Sequence, residues 1–124
     1  VDDSRNIAPE GWHVPTDEEW TTLIDYLGGN SVAGGKMKET GTAHWESPNT
    51  GVTNESGFTA LLGGYRNYYG DGSYTNMGRH GTCWSSTEYD SISAWTRSLG
   101  YGGSEVYRVL SIKEDGFSVR CVRD

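Results

Sequence analysis

Three tyrosines lie among glycines and polar side chains along residues 66–78, RNYYGDGSYTNMG, a segment in which Met77 is the only residue with an aliphatic character. Tyrosine rings have flat apolar faces that can stack on sugar rings or partner side chains, while asparagine and aspartate bond hydroxyl groups. The same residue types dominate antibody binding loops, because they give contact area at a low entropic cost. Seven of the eight tyrosines lie between Tyr65 and Tyr107. This region favours non-covalent ligand binding, with about half of its tyrosines packing beneath their own loops.

Residues with the spacing of a catalytic group are not apparent. The serines lie outside any nucleophile-elbow pattern, and GGYRNYYGDG lacks the Lys-Ser/Thr pair of a phosphate-binding loop. His13 is expected to be a hydrogen-bonded core or strand residue rather than a base. The sequence therefore predicts a protein that is not an enzyme.

Oxygen-bearing side chains crowd into NTGVTNESG, residues 49–57. Calcium takes roughly six to eight oxygen ligands, and Asn49, Asn54, Glu55 and Ser56 are candidates for some of them. Only one of these four carries a charge, so the alternative is that they hydrogen-bond the loop backbone. We expect no cofactor, with calcium as the alternative left open.

Acidic residues outnumber basic ones by 17 to 10, a formal net charge of −7. A nucleic-acid-binding domain normally carries a basic patch, so this balance argues against a nucleic-acid partner. No apolar run approaches the roughly 18 residues of a membrane span, so we expect no direct membrane insertion by this domain. Two cysteines, Cys83 and Cys121, are too few for a disulfide scaffold, and each is expected to be a buried free thiol.

The segment VPTDEEWTTLIDYLGG has the start, the apolar face and the stop of a helix. Thr16 and Glu19 form a capping box, in which each side chain satisfies the other residue's free backbone N–H. Apolar residues then recur at helical spacing up to Leu27, and Gly28 is a typical stop. We predict a helix over 17–27, and a weaker one over 31–38 despite two glycines in its middle.

Four runs from Gly81 onward have the composition of strands: GTCWSST, SAWTRSLG, EVYRVLSIK and GFSVRCVR. In the last run Phe117, Val119 and Cys121 alternate with polar residues, which is the period of a half-buried strand. Helices followed by antiparallel strands predict an α+β fold. At 124 residues the chain is expected to be a single domain, 1–124.

Long blocks of the chain resemble the Fibrobacter succinogenes major paralogous domain family. These blocks are APEGWHVPTDEEWTTLIDYLGG, SVAGGKMKETGTAHWESPNTGVTNESGFTALLGGYRN, WSSTEYDSISAWTRSLGY and DGFSVRCVRD. They occur in the family's order from about residue 7 to 124. The resemblance implies a C-type lectin-like fold, in which the terminal strands pair, two helices flank a small antiparallel sheet, and long structured loops form the binding face.

The same resemblance implies a bacterial protein that is secreted or anchored by lipid at the cell surface, often as part of a larger surface protein. Related folds include variable proteins of diversity-generating retroelements and formylglycine-generating enzymes. The polar and tyrosine codons after Tyr65 are compatible with the first, whereas the two cysteines do not match the second. Members often carry a cysteine where this chain has Ala8, so Cys121 lacks the partner that the resemblance implies.

The combined expectation is a non-catalytic extracellular recognition domain that binds a glycan or a partner surface. Its alternatives are a variable ligand-display protein of a diversity-generating retroelement and a structural module of a larger surface protein. One wall of the expected site consists of Tyr68, Tyr69, Asp71, Tyr74 and Asn76. The other wall consists of Tyr89, Asp90, Tyr101 and Arg108.

Overall fold

The first helix, α1 (Asp17–Tyr26), begins at the capping box that the sequence predicts. The computed structural model describes residues 7–124. In it the Thr16 hydroxyl accepts from the Glu19 N–H at 3.2 Å, and the Glu19 carboxylate accepts from the Thr16 N–H at 2.8 Å. Trp20 and Ile24 are buried on the inner face of α1. Leu27 caps the helix, so the predicted helix is confirmed with its end one residue earlier.

The second helix, α2 (Asn30–Met37), contains two glycines because it lies against other backbone. A Cβ on Gly34 would lie 2.5 Å from the carbonyl oxygen of Glu105, and one on Gly35 would lie 2.2 Å from that of Gly51. Glycine weakens a helix intrinsically, but here it permits an approach that no other residue allows. The weaker helix of the sequence analysis is therefore confirmed, and its glycines have a packing reason.

Seven strands among residues 7–124 form three small sheets. They are β1 (Trp12–His13), β2 (Tyr65–Arg66), β3 (Tyr74–Thr75), β4 (His80–Glu88), β5 (Ser93–Gly100), β6 (Val106–Ile112) and β7 (Val122–Arg123). Strand β1 pairs with β7, β2 pairs with β3, and β4, β5 and β6 form a three-stranded sheet in that order. All of these pairs are antiparallel. The described residues therefore have an α+β arrangement, as the sequence predicts.

The predicted strand over 116–123 is correct only at its end, where β7 forms. Gly116 pairs with Arg66 of β2, whereas Ser118 pairs in parallel with Cys83 of β4. The segment crosses from one sheet to another, so it cannot run along either ladder. The burial of successive side chains still alternates as predicted: Phe117, Val119 and Cys121 are half-buried, and the residues between them are exposed.

The core lies between the two helices and the three-stranded sheet. It includes Trp20, Ile24, Met37, Trp45, Leu62, Leu99 and Val106. Trp45 comes from the long irregular loop after α2, is 1% exposed, and donates its indole N–H to the carbonyl of Ala60 at 3.0 Å. Aromatic side chains thus hold the loop onto the core.

Lys38, which follows α2, is fully buried with its charge. Its Nζ donates to the carbonyl oxygens of Thr50 at 3.0 Å, Gly100 at 3.1 Å and Gly103 at 2.8 Å. An ammonium has three donors, so all of them are used. Burial lowers the pKa of Lys38, and the nearby charge of Glu105 partly opposes that shift. The ammonium ties the end of α2 to two loops from distant parts of the chain.

We predict that Lys38→Met destabilises the domain by on the order of 3 kcal/mol, because it leaves three carbonyls without their donor. Urea unfolding followed by tryptophan fluorescence measures the loss. Lys36→Met is the matched control, since Lys36 forms only a partly exposed ion pair with Glu55 at 2.9 Å, and such pairs contribute under about 1 kcal/mol. Equal losses in the two variants would contradict the assigned role of Lys38.

His13 joins the two ends of the described chain. Its Nδ1 lies 2.6 Å from a carboxylate oxygen of Asp124, and its Nε2 lies 2.9 Å from one of Glu19. The hydrogen bonds with Asp124 and then Glu19 raise the pKa of His13 above its ordinary value. The prediction that His13 is a hydrogen-bonded strand residue is confirmed.

A raised pKa in the folded state means that protonated His13 stabilises the fold. This stabilisation is complete below the unfolded pKa of 6.5 and disappears as the pH rises through the folded pKa. We therefore expect the urea midpoint of the native protein to fall across that window relative to His13→Gln. Parallel midpoint profiles for the two proteins between pH 5.5 and 8.5 would exclude this contribution.

Candidate functional site

The tyrosine-rich segment is a short hairpin rather than an irregular loop. Tyr65 pairs with Thr75, and Arg66 pairs with Tyr74. At its base, Arg66 and Gly116 exchange both backbone hydrogen bonds at 2.8 Å. The hairpin is thereby attached to the segment that follows β6.

Side-chain oxygens hold the tip of the hairpin in one conformation. Asn67 Oδ1 accepts from the N–H of Tyr69 at 2.9 Å, and Asp71 Oδ1 accepts from that of Ser73 at 3.0 Å. The bonds from Ser73 lower the pKa of Asp71. From outside the hairpin, Asp115 Oδ1 accepts from the N–H of Tyr68 at 2.8 Å. The tip is ordered before any ligand arrives, which lowers the entropic cost of binding.

Three tyrosines of this hairpin face outward, and we call Tyr68, Tyr69 and Tyr74 the hairpin face. Their exposed fractions are 51%, 66% and 75%. The rings of Tyr68 and Tyr69 meet edge to face with centroids 5.5 Å apart. These three tyrosines therefore do not pack beneath their loop, and they remain free to contact another molecule.

An open cavity of about 320 Å³ lies beside the hairpin, on the face of the three-stranded sheet opposite α1. We call it the hydroxyl groove. Hydroxyl side chains from three adjacent strands form its floor: Thr82, Thr96, Ser98 and Ser111. Thr82 donates to the Ser98 hydroxyl at 3.1 Å, and Thr96 lies 3.0 Å from the Ser111 hydroxyl. The register of the strands, Thr82 opposite Ser98 and Thr96 opposite Val109, brings these groups together.

The walls of the hydroxyl groove connect it to the hairpin. Tyr65 and Phe117 form an aromatic wall, with ring centroids 5.7 Å apart, and Asn76 and Asp115 also line the cavity. Asp115 is the same residue that binds the Tyr68 N–H. Asn76 has a positive φ of 57°, a conformation that asparagine tolerates better than most residues. The predicted first wall therefore lies on one hairpin, and its residue Asn76 also lines the groove. The residues of this wall are Tyr68, Tyr69, Asp71, Tyr74 and Asn76.

The predicted second wall comes together only in part: Tyr89 and Arg108 both pack on the ring of Trp95, with the Tyr89 ring centroid 5.5 Å from that of Trp95, whereas Tyr101 lies apart. Tyr89 and Asp90 lie in the turn between β4 and β5, where Asp90 Oδ1 accepts from the N–H groups of Ile92 at 2.8 Å and Ser93 at 2.7 Å. Tyr101 follows the far end of β5 and packs against the core. Eight residues of strand separate these positions by roughly 25 Å, so they cannot contact one small ligand.

Arg108 lies on the opposite face of the sheet from the hydroxyl groove. Its guanidinium stacks on Trp95 at 3.3 Å from the ring centroid and pairs with Asp17, which also binds the buried Arg97. Burial raises the pKa of Asp17, but the hydrogen bonds from Arg108 and Arg97 outweigh it, so the pKa is lowered overall. Arg108 thus has a position and partners that fix the sheet to α1.

The tyrosine on the groove side of β6 is Tyr107, which was not among the predicted site residues. It lies opposite Ser98 and is 55% exposed. Alternation along β6 was the available signal, because residues at i, i+2 and i+4 share a face. Tyr107, Val109 and Ser111 therefore belong together, and Arg108 points away.

The calcium candidates serve separate contacts in the described structure. Asn49 is buried and donates to the carbonyls of Glu39 at 3.0 Å and Gly41 at 2.7 Å. Asn54 exchanges two hydrogen bonds with Thr59, and Glu55 pairs with Lys36. Over residues 7–124 no group of three or more His, Cys, Asp or Glu side chains is placed to hold a metal ion.

Both cysteines are free and half-buried. Burial raises the pKa of the Cys83 thiol to about 11, with the charge of Arg120 opposing the shift, so the thiol is protonated at neutral pH. No helix among the described residues has the length and apolar character needed to cross a membrane.

The sequence of the whole chain identifies its family. Residues 1–123 match the family model described as the Fibrobacter succinogenes major domain, so the chain belongs to this family. A comparison with curated proteins found no match, and a comparison with solved structures found none either.

We predict that Asp115→Ala loosens the hairpin tip without unfolding the domain, because the paired Arg66 and Gly116 still hold the base. Hydrogen exchange over residues 67–74 should accelerate by about tenfold, the value of one hydrogen bond. Asp90→Ala is the matched control, and should accelerate only the amides of Ile92 and Ser93. Unchanged exchange at the hairpin in Asp115→Ala would show that the carboxylate does not order the tip.

Proposed function

We propose that this domain is a non-catalytic recognition module that binds a glycan or a partner surface through the hairpin face. The observation that carries the proposal is the exposure of Tyr68, Tyr69 and Tyr74 on a loop that is already ordered by Asn67 and Asp71. Exposed aromatic rings on a rigid scaffold are typical of binding surfaces, because little entropy is lost on association.

A C-type lectin-like fold is the architecture that we propose for the domain. Paired terminal strands, two helices, a long irregular segment after α2 and a second small sheet agree with it. The binding face would then be the long loops together with the β2–β3 hairpin. We also propose that the domain acts at the cell surface or outside the cell, within a larger protein, on the strength of its resemblance to secreted and lipid-anchored relatives.

A glycan is the ligand that the surroundings of the hairpin face favour. The adjoining hydroxyl groove offers hydroxyl, amide and carboxylate groups beside aromatic rings, the combination that fixes and stacks a sugar. A protein surface remains the alternative, because tyrosines serve both kinds of ligand. We propose that the ligand binds without calcium, and binding in the presence and absence of the ion tests this point.

A glycan array probed with the purified domain, with calcium and again with a chelator, tests the proposal. We expect binding that survives chelation and falls at least tenfold in Tyr68→Ala and Tyr74→Ala, with unfolding midpoints unchanged because both side chains are exposed. Tyr26→Ala is the control, since Tyr26 is 86% exposed on α1, outside the hairpin.

Other outcomes are equally informative. Binding lost on chelation would favour a calcium-dependent site, for which Asn49, Asn54 and Glu55 are the candidates from sequence. Binding that is equal in all three tyrosine variants would reject the hairpin face. A structural module would be favoured if the domain binds no glycan but docks onto a neighbouring domain of the parent protein through these tyrosines. A variable ligand-display protein would be favoured if these tyrosines vary among gene copies.

A further inference from the structure

The hydroxyl groove has a defined pattern of hydrogen-bond donors and acceptors. Each hydroxyl has one proton to donate and lone pairs to accept. The Thr82 proton goes to Ser98, so the proton of Ser98 is left to donate elsewhere. The Thr96 proton goes to the carbonyl of Val109 at 3.1 Å, so Ser111 is the donor in its contact with Thr96. The floor therefore offers a donor at Ser98 and free acceptor lone pairs at Ser111.

The charge of the groove selects against anions. No arginine or lysine is among the described residues that line it, and its ionisable side chains are those of His80 and Asp115. The formal net charge of the chain, −7, adds to the repulsion of an anionic ligand. One oxygen of Asp115 is already bonded to the Tyr68 N–H. A neutral ligand that both donates and accepts hydrogen bonds fits this lining best.

The aromatic wall supplies the apolar contact that such a ligand needs. Phe117 is held between Tyr65 and Trp84, with its ring centroid 4.9 Å from that of Trp84, so the wall is fixed by the core. The volume of about 320 Å³ is at the small end of the range of ligand pockets, roughly 300–1,000 Å³. It accommodates one or two rings and not a long chain.

We propose that the hydroxyl groove is a subsite for one neutral sugar ring of a longer glycan. The ring would stack on the Tyr65–Phe117 wall, accept from Ser98 and donate to Ser111, while the rest of the chain crosses the hairpin face. Asp115 connects the two surfaces, because it lines the groove and orders Tyr68. This inference rests on the proposed function and adds to it the class of ligand and the residues that select it.

Calorimetric titration with neutral cello-, manno- and xylo-oligosaccharides tests the subsite. Polygalacturonate, an anion, and chitosan, a cation, are titrated for comparison. We expect a neutral series to bind the native domain and to lose about tenfold in affinity in the double variant Ser98→Ala/Ser111→Ala, which removes two hydrogen bonds. The control is Ser31→Ala/Ser91→Ala, which removes two exposed hydroxyls outside the groove.

The single variant Ser111→Ala protects the test against misfolding, because Thr96 keeps its bond to the Val109 carbonyl. It should weaken neutral oligosaccharides severalfold at an unchanged unfolding midpoint. Binding that depends on Tyr74 but is unaffected by both groove variants would overturn the subsite and leave the proposed function intact. Preference for polygalacturonate or chitosan, or absence of saccharide binding by the native domain, would also overturn the subsite.

Discussion

The buried ammonium of Lys38 is the interaction on which the loop-rich half of this protein depends. Residues 39–57 contain few aliphatic side chains, so hydrophobic burial alone holds them weakly. Lys38 instead gathers the carbonyls of Thr50, Gly100 and Gly103 around one charge, and thereby joins α2, the long loop and the turn after β5. A buried charge is tolerated only when its hydrogen bonds are complete. The need of Lys38 for three acceptors therefore makes the loop arrangement specific as well as stable.

The candidate site also reflects the small number of aliphatic side chains in this chain. Because the core is supplied by tryptophans and the helices, the tyrosines of the hairpin are not needed inside. The hairpin is fixed instead by polar contacts, among which Asp115 and the pairing of Arg66 with Gly116 come from outside it. Rigid attachment and outward aromatic rings together provide a surface that loses little entropy on binding.

Some of the site was accessible to sequence reasoning and some was not. The grouping of Tyr68, Tyr69 and Tyr74 is local in the chain, so composition alone identified it. The second wall is assembled only in part, because strand register decides which of its residues meet. Tyr89 and Arg108 both contact Trp95, whereas Tyr101 follows the far end of β5. Tyr107, the sequence neighbour of Arg108, lies on the opposite face of the sheet. The hydroxyls of Thr82, Ser98 and Ser111 come together across three strands, so no single segment of the sequence predicts this cluster.

The sequence by itself determined the features that depend on near neighbours. The capping box, the apolar face of α1, the strand character of β4 to β6 and the family all belong to this group. Tertiary structure decided which surfaces face each other: the passage of residues 116–123 between two sheets, the three acceptors of Lys38, and the position of Asp115 between groove and hairpin. The physical reason is that local patterns set backbone conformation, whereas contacts between distant segments depend on register and packing that no short stretch encodes.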